Sequence, residues 1–176
     1  MNIKFFDGSM GTMLQSAGLK AGELPELLNI SSPETVLAVH RGYAEAGSEY
    51  ITTNTFGANS LKFDNYAELI KTGVKLAKSV GKKVLLDIGP TGKLLKPMGD
   101  LDFDDAIEIF AQMIRAGKDG ADAVLIETMS DTYEIKAAVL AAKENCDLPI
   151  YVTMIFDEKC KVEKNHDIKL RELLKK

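Results

Sequence analysis

Short apolar segments alternate with longer amphipathic segments along most of this chain. Residues 3–6, 50–53, 83–86, 123–126 and 149–154 are short runs rich in β-branched, aliphatic or aromatic side chains. Such runs are typical of β-strands, and the uninterrupted apolar run at 123–126 is typical of a strand covered on both faces. The pattern therefore predicts five strands.

The segments between these runs carry apolar residues at helical spacing. Ser32 is a predicted helix N-cap with Pro33 in the first turn, and Gly47 is suited to the position after the helix ends. The further predicted helices cover residues 61–80 in pieces, 103–117 and 132–143. Strands that alternate with helices predict a parallel sheet with right-handed connections.

Polar side chains directly after the strands bear on how the sheet closes. Asp7, Asn54, Asp87 and Glu127 each follow an apolar run. An open doubly wound sheet would spread them along one edge, whereas a (β/α) barrel would gather them around its mouth, where such enzymes place their chemistry. No glycine-rich dinucleotide motif follows the first strand. We therefore favour the barrel.

The predicted strands do not complete such a barrel, which has eight strands in roughly 250 residues. After the fifth run the composition changes, and 12 of the 20 residues in 157–176 are charged. We predict an α/β fold of the (β/α)8 TIM-barrel class represented by its first five βα units. Its domains are a partial barrel over residues 1–156 and a charged, helical tail over residues 157–176.

Composition and charge exclude several classes of function and indicate a cellular location. The chain has 176 residues, 45% hydrophobic and 27% charged, with a net charge of −4, which gives no basis for binding nucleic acid. The apolar runs are too short to span a membrane, and residues 1–7 lack the apolar core of a signal peptide. Two cysteines make no disulfide framework, so we expect a reducing, cytoplasmic location.

Two segments after the first strands combine glycine with polar residues. In residues 7–12, two glycines would let backbone N–H groups approach an anion, although a tight turn that caps the next segment explains them as well. Asn54 offers a donor and an acceptor to a ligand, and Asn54 or Thr55 could equally cap the following helix.

The later strands are followed by carboxylates. Asp87 precedes a loop rich in glycine and proline and could simply bond its own turn. Glu127 follows four apolar residues, where burial is costly unless the carboxylate is paired with a ligand ammonium group or an internal Lys or Arg. We favour a functional role for Glu127 and a structural role for Asp87.

The remaining histidines and cysteines give weaker signals. His40 lies on the inner face of a predicted helix, where packing is the expected role, and His166 lies in the charged tail. Cys146 and Cys160 have no further Cys or His at ligand spacing, so zinc binding by this pair is not expected.

Seven motifs in order resemble the homocysteine S-methyltransferase family, and most closely the N-terminal homocysteine-binding domain of cobalamin-dependent methionine synthase. The resemblance extends over residues 3–158. Its motifs are residues 7–15, 25–29, 40–47, 53–59, 87–92, 126–131 and 152–154.

The resemblance implies a (β/α)8 barrel that transfers a methyl group to the sulfur of homocysteine and so forms methionine. It assigns the ligand carboxylate to the backbone of residues 8–12 and the ammonium group to Glu127. Asp7 and Asn54 would orient the ligand, and Asp87 would shape the mouth. The implied substrate-binding residues are Asp7, Gly8, Ser9, Met10, Gly11, Thr12, Asn54, Thr55, Asp87 and Glu127.

The sequence differs from the family in the residues that bind the metal. The family activates the thiol with zinc held by three cysteines, in Val-Asn-Cys and Gly-Gly-Cys-Cys types of segment that this sequence lacks. We therefore assign no catalytic and no metal-binding residue here, and we expect the isolated chain to be inactive. Cobalamin and methyltetrahydrofolate would act only through other domains, and the methyl donor stays open.

Three functional interpretations remain. The chain could be a truncated methyltransferase, a non-catalytic amino-acid-binding module, or a half-barrel that associates with itself. The expected partners are homocysteine and either a missing barrel half or a second copy, because an open sheet edge invites strand pairing.

Overall fold

Four parallel strands form the sheet of this protein, for which the computed structural model describes residues 3–156. The strands are β1 (Tyr50–Thr52), β2 (Lys83–Ile88), β3 (Ala123–Met129) and β4 (Ile150–Met154). They are hydrogen-bonded in the order β1-β2-β3-β4, and every pairing is parallel. The fold is therefore α/β with a parallel sheet, as the alternating pattern predicts.

Helices connect and flank these strands. The α-helices are α1 (Met10–Ser16), α2 (Leu28–Ser31), α3 (Pro33–Glu45), α4 (Tyr66–Lys78), α5 (Phe103–Gly117) and α6 (Thr132–Asn145). Short 3-10 turns occupy Pro25–Leu27 and Lys118–Gly120. None of the helices within residues 3–156 has the length and apolar character needed to cross a bilayer.

The first predicted strand is wrong as a strand. In residues 3–6 only Phe6 forms a parallel bridge, with Tyr50, and the Phe5 carbonyl accepts the Glu49 N–H at 2.9 Å. Among residues 3–156, this segment pairs with the three-residue strand β1 alone, so few ladder bonds hold it. By contrast, β2 and β3 run further than their apolar cores, and Asp87 and Glu127 lie within these strands rather than after them.

The predicted helices are largely confirmed, with differences at their ends. Ser32 occupies the N-cap position of α3, but its hydroxyl contacts Thr35 Oγ1 at 2.7 Å instead of capping a backbone N–H. Gly47 follows α3 with φ +104°, a conformation that glycine adopts readily. The predicted helix in residues 61–80 is confined to α4 because turns precede it.

Alternate strand residues face opposite sides of the sheet, and both sides carry buried apolar residues. Leu86, Ile88, Val124 and Ile126 pack beneath α4, α5 and α6 in the main core. The other face carries a smaller buried cluster of Tyr50, Leu85, Ala123 and Leu125.

The sheet is strongly curved. The Phe6 ring lies 4.9 Å from the Tyr50 ring and 5.6 Å from the Tyr151 ring, between ring centroids. Phe6 lies beyond β1 and Tyr151 lies on β4, so side chains from opposite margins of the sheet meet. The predicted helical tail, residues 157–176, lies outside the described residues.

Candidate functional site

Parallel strands end at one edge, and carboxylates gather at the carboxyl edge of this sheet. Asp87 lies in β2, Glu127 lies in β3, and Asp7 follows the bridge residue Phe6. The charges of Glu127 and Asp7 both act on Asp87, and the charge of Asp7 acts on Glu127. The structure thus brings together three of the predicted site residues.

The Asp7 carboxylate is held by Thr52 at the end of β1. The Thr52 N–H donates to Asp7 Oδ2 at 2.8 Å, and the Thr52 hydroxyl donates to Asp7 Oδ1 at 2.6 Å. Burial raises the pKa of the Asp7 carboxyl, and the two bonds from Thr52 partly oppose that rise because they favour the charged form. The direction of the Asp7 carboxylate at the carboxyl edge of the sheet is therefore fixed.

Asp87 has a well-anchored backbone and an unsatisfied side chain. Its N–H donates to Thr53 Oγ1 at 3.0 Å, and its carbonyl accepts the Thr55 hydroxyl at 2.8 Å. Its Oδ1, however, is buried without a hydrogen-bond partner. Burial first, and then the charges of Glu127, Asp7 and Glu26, raise the pKa of Asp87 well above its usual range.

Glu127 points into the same region at an irregularity in β3. The pairing of β3 with β4 shifts register between Ile126 and Met129, and Thr128 has φ +59°. Glu127 is half-buried and makes no hydrogen bond or ion pair with the described residues. Burial first, and then the charge of Asp7, raise the pKa of Glu127.

A fourth carboxylate, Glu26, was not singled out by the sequence. It is buried in the 3-10 turn, and its Oε1 accepts the Gly57 N–H at 2.6 Å. Its charge also acts on Asp87. The available signal was an acidic residue inside the otherwise apolar segment 24–28, which becomes informative only once that segment reaches the mouth.

Asn54 and Thr55 support the site from within. The Asn54 side-chain amide donates to the Pro25 carbonyl at 2.8 Å and to Asn29 Oδ1 at 3.0 Å, which holds the turn bearing Glu26. Thr55 is fully buried, and its hydroxyl bonds the Asp87 carbonyl. Both predicted residues therefore position the carboxylates.

The glycine-containing loop lies beside α3. The Tyr43 hydroxyl donates to the Ser9 carbonyl at 3.2 Å, and a Cβ at Gly8 would lie 2.8 Å from that hydroxyl. Ser9 also caps α1, since its hydroxyl accepts the Thr12 N–H at 3.4 Å. The loop thus shows the capping role that the sequence left open.

The loop after β2 is fastened by a residue that the sequence did not indicate. Glu134, buried on α6, accepts the Thr91 N–H at 2.8 Å and the Thr91 hydroxyl at 2.6 Å. This contact joins the segment after Asp87 to a helix 43 residues further along the chain. It keeps the edge of β2 rigid beside the carboxylates.

Within residues 3–156, no cation forms an ion pair with these carboxylates, and Lys62 Nζ lies near Glu26 without pairing with it. The ion pairs Lys96–Asp102 and Arg115–Glu108 lie elsewhere. Acidic groups held together without a cation favour a positively charged ligand because it offsets both burial and mutual repulsion. The arrangement is suited to an ammonium group.

A zinc ion does not fit this group of side chains. No three His, Cys, Asp or Glu side chains within residues 3–156 converge closely enough to hold a metal. The cysteine in that range, Cys146, follows α6 at the opposite edge of the sheet, where its thiol donates to the Ala142 carbonyl. The other cysteine, Cys160, and His166 lie outside the described residues.

His40 has the packing role expected for it. It is fully buried in α3, and neither ring nitrogen has a hydrogen-bond partner. Burial lowers the pKa of His40 to about 4. The side chain is therefore neutral near pH 7.

Comparison with known proteins identifies relatives of the chain. Methionine synthases from Mycobacterium tuberculosis and Mycobacterium leprae are 32% and 33% identical to it over 159 aligned positions. Each alignment covers 78% of this chain and 13% of the relative, so the chain spans about an eighth of these proteins.

A solved structure shares the fold. The homocysteine methyltransferase MmuM from Escherichia coli, in its metallated form, superposes with a TM-score of 0.85 at 18% identity. The superposition covers 98% of this chain and 69% of that one, and the apo form of the same enzyme gives a TM-score of 0.70.

The family model described as homocysteine S-methyltransferase matches residues 4–175, nearly the whole chain. The resemblance in the seven motifs is thereby confirmed. Membership supports methyl transfer to homocysteine at the level of the family and does not favour a remnant without that activity. The chain belongs to the homocysteine S-methyltransferase family.

Proposed function

We propose that this chain binds homocysteine at the carboxyl edge of its sheet and supplies the amino-acid-binding part of a homocysteine S-methyltransferase. One observation carries the proposal. Asp7, Asp87 and Glu127 act on one another electrostatically at one edge, and no described cation pairs with them. A zwitterion with an ammonium group has the charge that this edge lacks.

The ammonium group would bind between Glu127 and Asp7. Glu127 is free of described partners and half-exposed, so it is accessible to a ligand. Asp7 is already directed by Thr52, so little ordering is needed on binding. Gly8, Ser9, Met10, Gly11 and Thr12 remain the predicted contacts of the ligand carboxylate.

The methyl transfer itself needs residues beyond the described part of the chain. In the family that the motifs resemble, zinc turns the ligand thiol into a thiolate nucleophile. Residues 3–156 bring no cysteine thiol to the carboxyl edge of the sheet and no group of side chains that could hold a metal ion. We expect the purified chain alone to bind homocysteine without forming methionine, whichever methyl donor is supplied.

A partner that covers the sheet margins belongs to this proposal. Phe5, Phe6, Tyr151, Val152 and Phe156 are large and exposed at or beside the two margins. We propose that the remaining part of a barrel or a second copy of the chain covers them. Light scattering after size exclusion checks this: a dimer supports self-association, and a monomer that dissolves well argues against it.

Titration calorimetry with L-homocysteine tests the binding site. Glu127→Gln keeps the shape and removes the charge, and we expect it to lose about 2 kcal/mol or more, about thirtyfold in affinity. Glu144→Gln is the matched control because Glu144 is exposed at the far end of α6. The desamino analogue 4-mercaptobutyrate should not bind.

Two results would contradict the proposal. One is the absence of any heat or thermal shift with homocysteine under reducing conditions. The other is equal affinity of the wild type and Glu127→Gln, since the ammonium group would then bind elsewhere.

A further inference from the structure

We propose that Asp87 holds a proton in the ligand-free protein and releases it when an ammonium group enters the carboxylate group of Asp7, Glu26, Asp87 and Glu127. The inference deepens the proposed function and rests on it. It makes binding of the amino acid a proton-coupled step, with Asp87 as the residue that sets the coupling.

The structure holds Asp87 close to the other carboxylates. A hydrogen bond from its N–H to Thr53 Oγ1 and one from the Thr55 hydroxyl to its carbonyl fix its backbone inside β2. Its side chain is 5% exposed, and Oδ1 has no donor. A buried carboxylate without a donor is strongly disfavoured, and a neutral carboxyl group is the state that this position accepts.

The groups whose charges raise the pKa of Asp87 are all acidic. Glu127 acts on it from β3, Asp7 acts from the segment before α1, and Glu26 acts from the 3-10 turn. Lys62 Nζ flanks Gly57, beside the Glu26 carboxylate, but forms no ion pair with any of the four. Repulsion therefore adds to burial in holding the proton on Asp87.

A ligand ammonium group reverses this balance. The Asp87 carboxyl gives its proton to solvent, and the resulting carboxylate faces the incoming ammonium group, so one positive charge replaces another inside the group. An ammonium ion fits better than a metal ion because the carboxylates are within electrostatic range of each other without converging as metal ligands.

Asp87 differs in this respect from its two neighbours. Two bonds from Thr52 stabilise the charged form of Asp7. Glu127 is half-exposed, so water solvates its charge. Asp87 has no hydrogen bond to its carboxyl group from the described residues and is only 5% exposed, so its charge is the least compensated of the three and it keeps a proton to the highest pH.

Calorimetry in buffers of different ionisation enthalpy counts the released protons. L-Methionine is the better probe beside L-homocysteine because it has no thiol to titrate. We expect about one proton per bound ligand while Asp87 is protonated, and affinity that rises about tenfold per pH unit over that range. At higher pH the proton count should fall to zero and the affinity should level off.

Variants assign the proton to its residue. Asp87→Asn mimics the neutral carboxyl group and should still bind, with no proton released and no such pH dependence. Glu144→Gln should keep the full count. Binding by the wild type without proton release, or an unchanged count in Asp87→Asn, overturns this inference while the proposed function stands. No binding of either amino acid overturns both.

A measurement without ligand tests the same point independently. In protein labelled with ¹³C at the aspartate carboxyl carbons, the Asp87 resonance, identified by its absence in Asp87→Asn, should titrate at higher pH than the other aspartates. An Asp87 resonance already in its carboxylate position in mildly acidic buffer overturns the inference.

Discussion

Two regions of this molecule bury an ionisable side chain without a partner, and they do so to different ends. His40 lies in the helix-covered layer, fully buried, with neither ring nitrogen bonded. Asp87 lies at the carboxyl edge, buried, with Oδ1 unbonded. Burial favours the neutral form of both, so the pKa falls for His40 and rises for Asp87.

The difference lies in the neighbours. Burial alone shifts the pKa of His40, and no charged group contributes. Burial and three further carboxylates shift the pKa of Asp87. A neutral histidine in an apolar layer needs no further partner. Several carboxylates at an open edge repel one another, and a bound cation would stabilise them. Unpartnered burial indicates a binding site only when like charges surround it.

The largest expected effect belongs to the helix-covered layer. Phe110 is fully buried in the main core, and Phe110→Ala should lower the free energy of unfolding by about 3–5 kcal/mol because it leaves a cavity. Urea denaturation measures this loss. Met98→Ala is the control, since Met98 is 60% exposed and should cost little. A small loss for Phe110→Ala would show that the layer repacks freely.

His40 should make the protein sensitive to acid. Its pKa is about 4 in the folded protein and 6.5 as an unperturbed group, so between these values only the unfolded chain binds the proton. The free energy of unfolding should fall by about 3 kcal/mol as pH drops through this window. His40→Leu should lose this dependence, and parallel pH profiles for the two proteins would contradict it.

Thr52→Val tests how hydrogen bonding distinguishes Asp7 from Asp87 at the carboxyl edge of the sheet. It removes the hydroxyl that donates to Asp7 Oδ1 and leaves the backbone donor in place. We expect a further rise in the pKa of Asp7, seen by NMR, and a loss of about 1–2 kcal/mol in stability. Thr35→Val is the control because the Thr35 hydroxyl contacts the Ser32 hydroxyl, away from the carboxylates. An unchanged pKa of Asp7 in Thr52→Val would show that the Thr52 hydroxyl does not stabilise the Asp7 carboxylate.

Asp87→Asn should give the smallest change, with the opposite sign. Because the folded pKa of Asp87 is raised, the free energy of unfolding falls as pH rises from 3.8, the ordinary value, towards the folded pKa, since the unfolded chain releases this proton first. The variant should therefore gain about 1 kcal/mol at pH values above the folded pKa of Asp87 and nothing below its ordinary pKa. Asp64→Asn, at an exposed position, should change little, and a pH-independent effect of Asp87→Asn would contradict the interpretation.

Periodicity was sufficient for most of the fold. The helix predicted over residues 103–117 and the strands at residues 83–86 and 123–126 are present as α5, β2 and β3. The strand predicted at residues 3–6 is wrong because apolar character does not by itself provide ladder partners on both sides. A strand's extent depends on its neighbours, which a local pattern does not contain.

The site residues likewise fall into those that the sequence predicts and those that it does not. Asp7, Asp87 and Glu127 were predictable because each follows an apolar run, and the ends of parallel strands meet. Glu26 and Glu134 were not, because they reach the mouth from helical segments 31 and 43 residues away from their partners Gly57 and Thr91. Their acidic character resembles that of any exposed helix residue until the chain is folded.

The sequence by itself determined the order of elements, the family and the acidic residues at the strand ends, because periodicity, turn chemistry and motif order are local properties. Only the tertiary structure decided which carboxylates repel one another, which has bonds from Thr52, and which is left with an unbonded oxygen. Burial and Coulomb interactions depend on distances between segments far apart in the chain.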